Sequence, residues 1–140
     1  MGVLIDTNIW CYYFDSKAPE HQKVSTYLDD LLGRESIVIN TVILMEIAHF
    51  LVKNIGAVRG KEKIEKFLSY PLIIIDFDYE IALESLEMLY KYNYTGIGGR
   101  DSTILATMKK QGIKKLITHD ESFKKIEWIE FIDPVEKLKS

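Results

Sequence analysis

Short runs of apolar, mostly β-branched residues recur along the chain: Val3 to Ile5, Ile37 to Ile39, Leu72 to Ile75, Leu116 to Ile117 with Thr118, and Ile129 to Ile132. Each has the length and composition of a buried strand. Between these runs the apolar residues fall at helical spacing, which predicts helices over roughly 8–14, 19–32, 41–53, 60–69, 79–91 and 101–111. Pro19 suits a first helical turn, and Gly33 and Gly112 suit helix ends. Strands alternating with helices predict an α/β fold, a three-layer α/β/α arrangement around a central, mostly parallel sheet of about four or five strands. The nearest thing to a break is the stretch NIGAVRGKEK at 54–63, too short to divide two domains, so residues 1–140 read as one.

In open sheets of this kind, ligands bind outside the carboxyl ends of the strands, near the point where strand order reverses. Polar residues do follow the strands here. Asp6 follows the first, Asn40 and Thr41 the second, Asp76 and Asp78 the third, and Thr118, His119 and Asp120 the fourth. Two further acids have unusual neighbours. Glu46 is the one polar residue between Val42 and Ala48, and an unpaired carboxylate in such a setting costs several kcal/mol, so it needs a base, a solvent edge or a cation. Asp101 follows YTGIGGR and opens a helix, where bare backbone amides favour negative charge, its own or a phosphate's.

Taken singly, Asp6, Glu46, Asp101 and Asp120 each have an ordinary structural explanation as caps, turns or paired acids. Together they change the picture. A doubly wound sheet brings all four to one edge, where they repel unless divalent cations neutralise them. The single cysteine, Cys11, excludes an intrachain disulfide and a thiolate zinc site, and His21, His49 and His119 show no zinc-ligand spacing. An all-oxygen ligand set suits Mg²⁺ or Mn²⁺.

Bulk composition sets outer bounds. With 140 residues, 47% of them hydrophobic, the chain can bury one core. A formal net charge of −3 argues against a broad basic coat, while leaving room for a local basic lip. No targeting segment is evident and no unbroken apolar run reaches membrane-spanning length, which predicts a soluble, cytoplasmic protein with no membrane partner.

The residues resemble those of the PIN-domain nucleases, the family that includes the VapC toxins of toxin–antitoxin pairs. The resemblance spans essentially the whole chain. It rests on LIDTN (Leu4 to Asn8), Glu46 in the helix after the second strand, Asp101 at the start of a helix ending in KKQG, and LITHDESF (Leu116 to Phe123). It implies that Asp6, Glu46, Asp101 and Asp120 form the catalytic, metal-binding site, with Asn8 and Thr118 in support. It further implies Mg²⁺- or Mn²⁺-dependent hydrolysis of RNA, an antitoxin protein as partner, and a homodimer. GIGGRD is more glycine-rich than the family's usual approach to the third acid and sets Arg100 beside it. That arginine can stabilise charge on a phosphate or pair with a nearby acid.

Other features have two readings each. Lys109, Lys110, Lys114 and Lys115 can steer RNA or simply solvate a helix end. Trp10, Tyr12, Tyr13 and Phe14 crowd the first helix; core packing is the default, and an exposed part would suit a dimer or antitoxin interface. Asp15, Asp76, Asp78 and Asp133 read as turn or cap residues. Two alternative functions remain within the fold: a solitary RNA-processing nuclease, or a metal-binding interaction module without activity. A phosphatase or phosphoacceptor on a related sheet would need a second Asp where Asn8 stands, or an acidic pair at the first strand, and LIDTN supplies neither.

Overall fold

The computed structural model describes residues 2–137. Five strands, β1 (Gly2–Ile5), β2 (Ser36–Asn40), β3 (Leu72–Ile75), β4 (Lys115–Ile117) and β5 (Glu130–Ile132), form one parallel sheet in the order β3-β2-β1-β4-β5. Helices α1 (Thr7–Phe14), α2 (His21–Leu31) and α3 (Thr41–Leu68) join the strands on one side of β1, and α4 (Tyr79–Tyr92) and α5 (Gly99–Gln111) carry the chain across to β4. A short α6 (Pro134–Lys137) follows β5. Right-handed crossovers running outward in opposite directions from β1 put α4 and α5 on the face opposite α1 to α3. The expected three-layer arrangement is therefore the observed one, with six helices among the described residues.

Central strands are buried on both faces because both are covered. Val3, Leu4 and Ile5 of β1, Ile37 to Ile39 of β2 and Leu116 and Ile117 of β4 are all buried, in register Val3 with Ile37 and Leu4 with Leu116. The strand order reverses at β1 and β4. Their adjacent carboxyl ends deliver Asp6 and Thr118 side by side, where the sheet rule places a site.

The break expected at 54–63 lies inside α3. Gly56 has φ +86° and ψ 167°, a conformation open to glycine alone, and the helix turns there. The second half then folds back so tightly that a Cβ on Gly60 would stand 3.1 Å from the backbone of Val52. A continuous helix would separate those two residues by about 12 Å at 1.5 Å per residue. By length and composition α3 is a helix able to cross a membrane; it turns at Gly56, and Ile43, Ile47 and Leu51 pack into the core.

The aromatic residues of α1 do not form an exposed patch. Trp10 is fully buried, stacked edge-on against Phe67 at 4.8 Å, and Tyr12, Tyr13 and Phe14 are half-buried against the core. Three lysines of the basic stretch are ion-paired, in keeping with the simpler of its two readings. Lys109 and Lys110 pair with Glu84 and Glu80, and Lys115 with Glu35. Lys109 and Lys110 end α5, about 12–14 Å along the helix from Asp101, and Lys115 begins β4, at the end of the sheet opposite the site.

Candidate metal centre

Asp6 has no exposed surface and serves two purposes. As the cap of α1 its Oδ1 accepts the Thr7 amide at 2.7 Å. Its Oδ2 accepts the Thr118 hydroxyl at 2.8 Å and lies 3.5 Å from the Asn8 amide nitrogen. Asn8 also reaches Thr118 Oγ1 at 3.4 Å and accepts the His119 amide at 3.3 Å, so the ends of β1 and β4 are knitted through the two expected supporters.

Glu46 meets its need for a base. Arg100 Nε donates to its Oε1 at 2.9 Å and Oε2 at 3.1 Å, and the Thr7 hydroxyl donates to Oε1 at 2.6 Å. The same guanidinium donates through Nη1 to Asp101 Oδ1 at 2.9 Å, and through Nη2 to Asp6 Oδ1 and to Thr7 Oγ1 at 2.8 Å. Arg100 thus stands between three of the four expected acids. Burial works against its charge, but Asp6 and then Glu46 outweigh that, so its pKa moves up from the ordinary value. Nearby Cys11 feels the same acids, with Arg100 acting the other way. Burial first, then Glu46 and Asp6, push its thiol up to about 12.

Asn40 holds the relevant elements in place. Fully buried, it caps α3 by accepting the Ile43 amide at 2.8 Å and donates to Thr103 and Thr107 of α5 at 3.2 to 3.4 Å. That clamp fixes the start of α3, with Glu46 on its second turn, against α5, with Arg100 and Asp101 on its first. Asp101 caps its own helix as well, its Oδ2 accepting the Gly98 amide at 3.2 Å. Of the loop's glycines only Gly96, at φ +98°, needs to be one.

Asp120 is placed differently. Its Oδ1 accepts the Ser122 amide at 3.0 Å and hydroxyl at 2.7 Å, capping the short 3₁₀ turn at Glu121–Lys125. It joins the other acids through Thr118, whose Oγ1 accepts the Asp120 amide at 3.1 Å while donating to Asp6. Thr7 was not among the expected site residues, although it sits beside Asp6 at the helix start. A second group also escaped sequence reasoning: His119 Nδ1 lies 2.7 Å from Asp133 Oδ2, and with Glu136 these residues bring ligand atoms within 4.8 Å of one another. Asp133 is also the expected cap, accepting the Val135 amide at 3.0 Å.

At the switch point Asp6 lies beside Thr118, and Glu46 and Asp101 converge on it through Arg100. The model of the PIN domain matches residues 3–129. The chain belongs to the PIN-domain family. Among curated relatives of this PIN domain is Ribonuclease VapC6 of Methanocaldococcus jannaschii, 26% identical over 152 aligned residues that cover 94% of this chain and 96% of the relative. Among solved structures, VapC20 of Mycobacterium tuberculosis, a sarcin-ricin loop cleaving toxin, superposes with a TM-score of 0.78 at 17% identity, covering 94% of this chain and 99% of that one. VapBC2 from Rickettsia felis, bound to a promoter DNA fragment, superposes with a TM-score of 0.73 at 25% identity, covering 95% and 100%. The donor set at the switch point is all oxygen, which suits a hard divalent cation.

Proposed function

We propose that this PIN domain is an endoribonuclease that uses Mg²⁺ or Mn²⁺, and that it is the toxin of a VapBC-type pair. The observation that carries the reading is the convergence of Asp6, Glu46 and Asp101 on one point at the sheet's switch point, in a chain that belongs to the PIN family. Asp6, Glu46 and Asp101 would hold the ion, with Asp120 reaching it directly or through water. A bound ion would neutralise charge at the phosphate and lower the pKa of a water, so that it gives up a proton and attacks phosphorus in line as hydroxide.

The remaining work falls to the chain. Thr118, Asn8 and the Thr7 amide fix both oxygens of Asp6, so its carboxylate would meet the ion in one rotamer. Attack by water opposite the 3′ oxygen would leave a 5′-phosphate and a 3′-hydroxyl. The surface pocket that reaches one of these acids is lined by Thr41, Val42, Met45, Glu46, His49 and Phe77, and it would be the approach for RNA. The antitoxin partner is supported by the likeness to VapBC2, and the homodimer by an apolar stripe along α4.

The test is Mn²⁺-dependent cleavage of a mixed RNA by the parent and by Asp6→Asn and Asp101→Asn. Each variant is expected to lose at least about a hundredfold in rate, more than loss of an outer-shell partner costs. Parent-like cutting by both would remove these acids from the mechanism. Failure of the parent to cut with any divalent ion would favour the interaction-module reading.

A further inference from the structure

We propose that Arg100 is an internal counterion that the divalent ion must displace, so that the guanidinium and the metal are alternative occupants of the same carboxylate oxygens. The inference rests on the metal-dependent reading above. An ionised carboxylate offers about four lone-pair positions. All four of Asp6 face a donor: the Thr7 amide and Arg100 Nη2 at Oδ1, the Thr118 hydroxyl and the Asn8 amide at Oδ2. Glu46 Oε1 is likewise shared between Thr7 and Arg100, and Asp101 divides its oxygens between Arg100 and the Gly98 amide. An ion ligated by Asp6 at about 2.0–2.1 Å therefore needs a position that a donor now holds.

Arg100 is the donor that can yield. The Thr7 amide is backbone at the start of α1, and Thr118 is fixed at the end of β4 by the Asp120 amide. Arg100 reaches in from the first turn of α5 and keeps 31% of its side chain exposed, so a route to solvent is open. It is also the only positive charge among these donors, and a divalent ion on the same carboxylates would repel it. Every nitrogen of its guanidinium already lies on a carboxylate, with Nε on Glu46, Nη1 on Asp101 and Nη2 on Asp6. One side chain thus does the neutralising that the ion does when bound. Metal binding must break those three ion pairs, and the affinity is lower than the acids alone would set.

The experiment measures Mn²⁺ binding by calorimetry and metal-free unfolding temperature for the full chain and for Arg100→Gln. The variant should bind Mn²⁺ at least about tenfold tighter, melt lower without metal, and regain parent-like melting at saturating Mn²⁺. Equal or weaker binding by a folded variant would overturn the proposal while leaving the metal reading intact. Binding by neither protein would overturn both. A measurement on the unmutated chain keeps the test independent of the variant's folding. The Arg100 Nε–H resonance should be protected from solvent exchange in the metal-free protein and lose that protection on saturation with Mg²⁺. Retained protection with Mg²⁺ bound would contradict displacement.

Discussion

Cys11 reports on the site from one turn along α1, because its thiol is pushed up to about 12 by burial and then by the charges of Glu46 and Asp6, with Arg100 acting the other way. Its ordinary value is 9.0. The sign of the consequence follows directly. The folded chain keeps the proton to a higher pH than the unfolded chain, so the contribution to stability is fully present below pH 9.0 and is lost as pH rises towards about 12. Tyr12, Tyr13 and Tyr27 are also raised, chiefly by burial, and add to the alkaline loss. Cys11→Ala should therefore flatten, without abolishing, the fall in chemical-denaturation stability between pH 9 and 11. At pH 8 the native thiol should react with a disulfide reagent about a thousandfold more slowly than the unfolded one, since three pKa units separate their thiolate fractions. A native rate matching the unfolded rate would mean that the thiol is not shielded. At this scale the sequence is an uneven guide. Asp6 and Asp101 are legible as caps, because a helix start wants a carboxylate. Arg100 is legible only as a residue wanting an acid, because its contact with Glu46, 54 positions away, exists only once α3 and α5 are docked.

Elements are more legible than contacts, because each apolar run carries its own period. The five strands and most helices fall where that period puts them, and α2 simply starts two residues after Pro19. The misses have local causes. α6 has four residues, and the 3₁₀ turns at Asn93–Thr95 and Glu121–Lys125 are shorter than two turns of α-helix, so neither shows an apolar repeat. Gly56 and Gly60 illustrate what glycine marks within α3. At Gly56 the need is conformational, φ +86° with open space around it; at Gly60 it is steric, with Val52 backbone 3.1 Å from a would-be Cβ. Replacing each with alanine should separate the two effects. Gly56→Ala is expected to cost about 1 kcal/mol through backbone strain. Gly60→Ala should cost about 1–3 kcal/mol, because the two halves of the helix must move apart. Urea denaturation of both variants checks this, and a neutral Gly60→Ala would show that the halves do not pack so closely.

At the scale of the molecule, α4 presents apolar residues on two opposite faces. Ile81, Ser85, Met88 and Tyr92 are buried, while Tyr79, Leu83, Leu86 and Tyr90 are all exposed. At 100° per residue the exposed four fall within about 60° of arc, a stripe as narrow as the buried one. Single exposed apolar residues are ordinary on a protein surface, but an aligned row of two leucines flanked by two tyrosines is the composition of an interface core. The row lies on the face of the sheet opposite α1, where the aromatic cluster had suggested pairing. A self-complementary stripe on a helix suits a two-fold axis, with Leu83 and Leu86 of one copy against the same residues of the other and the tyrosines closing the ends. Leu83→Glu with Leu86→Glu puts like charges face to face at the centre of such a pairing, yet touches nothing in the core, so the fold should survive. Sedimentation at micromolar concentration is expected to show a dimer for the parent and a monomer for the double variant, with unchanged far-ultraviolet circular dichroism. A parent that sediments as a monomer, or a variant that remains dimeric, would move the interface off α4.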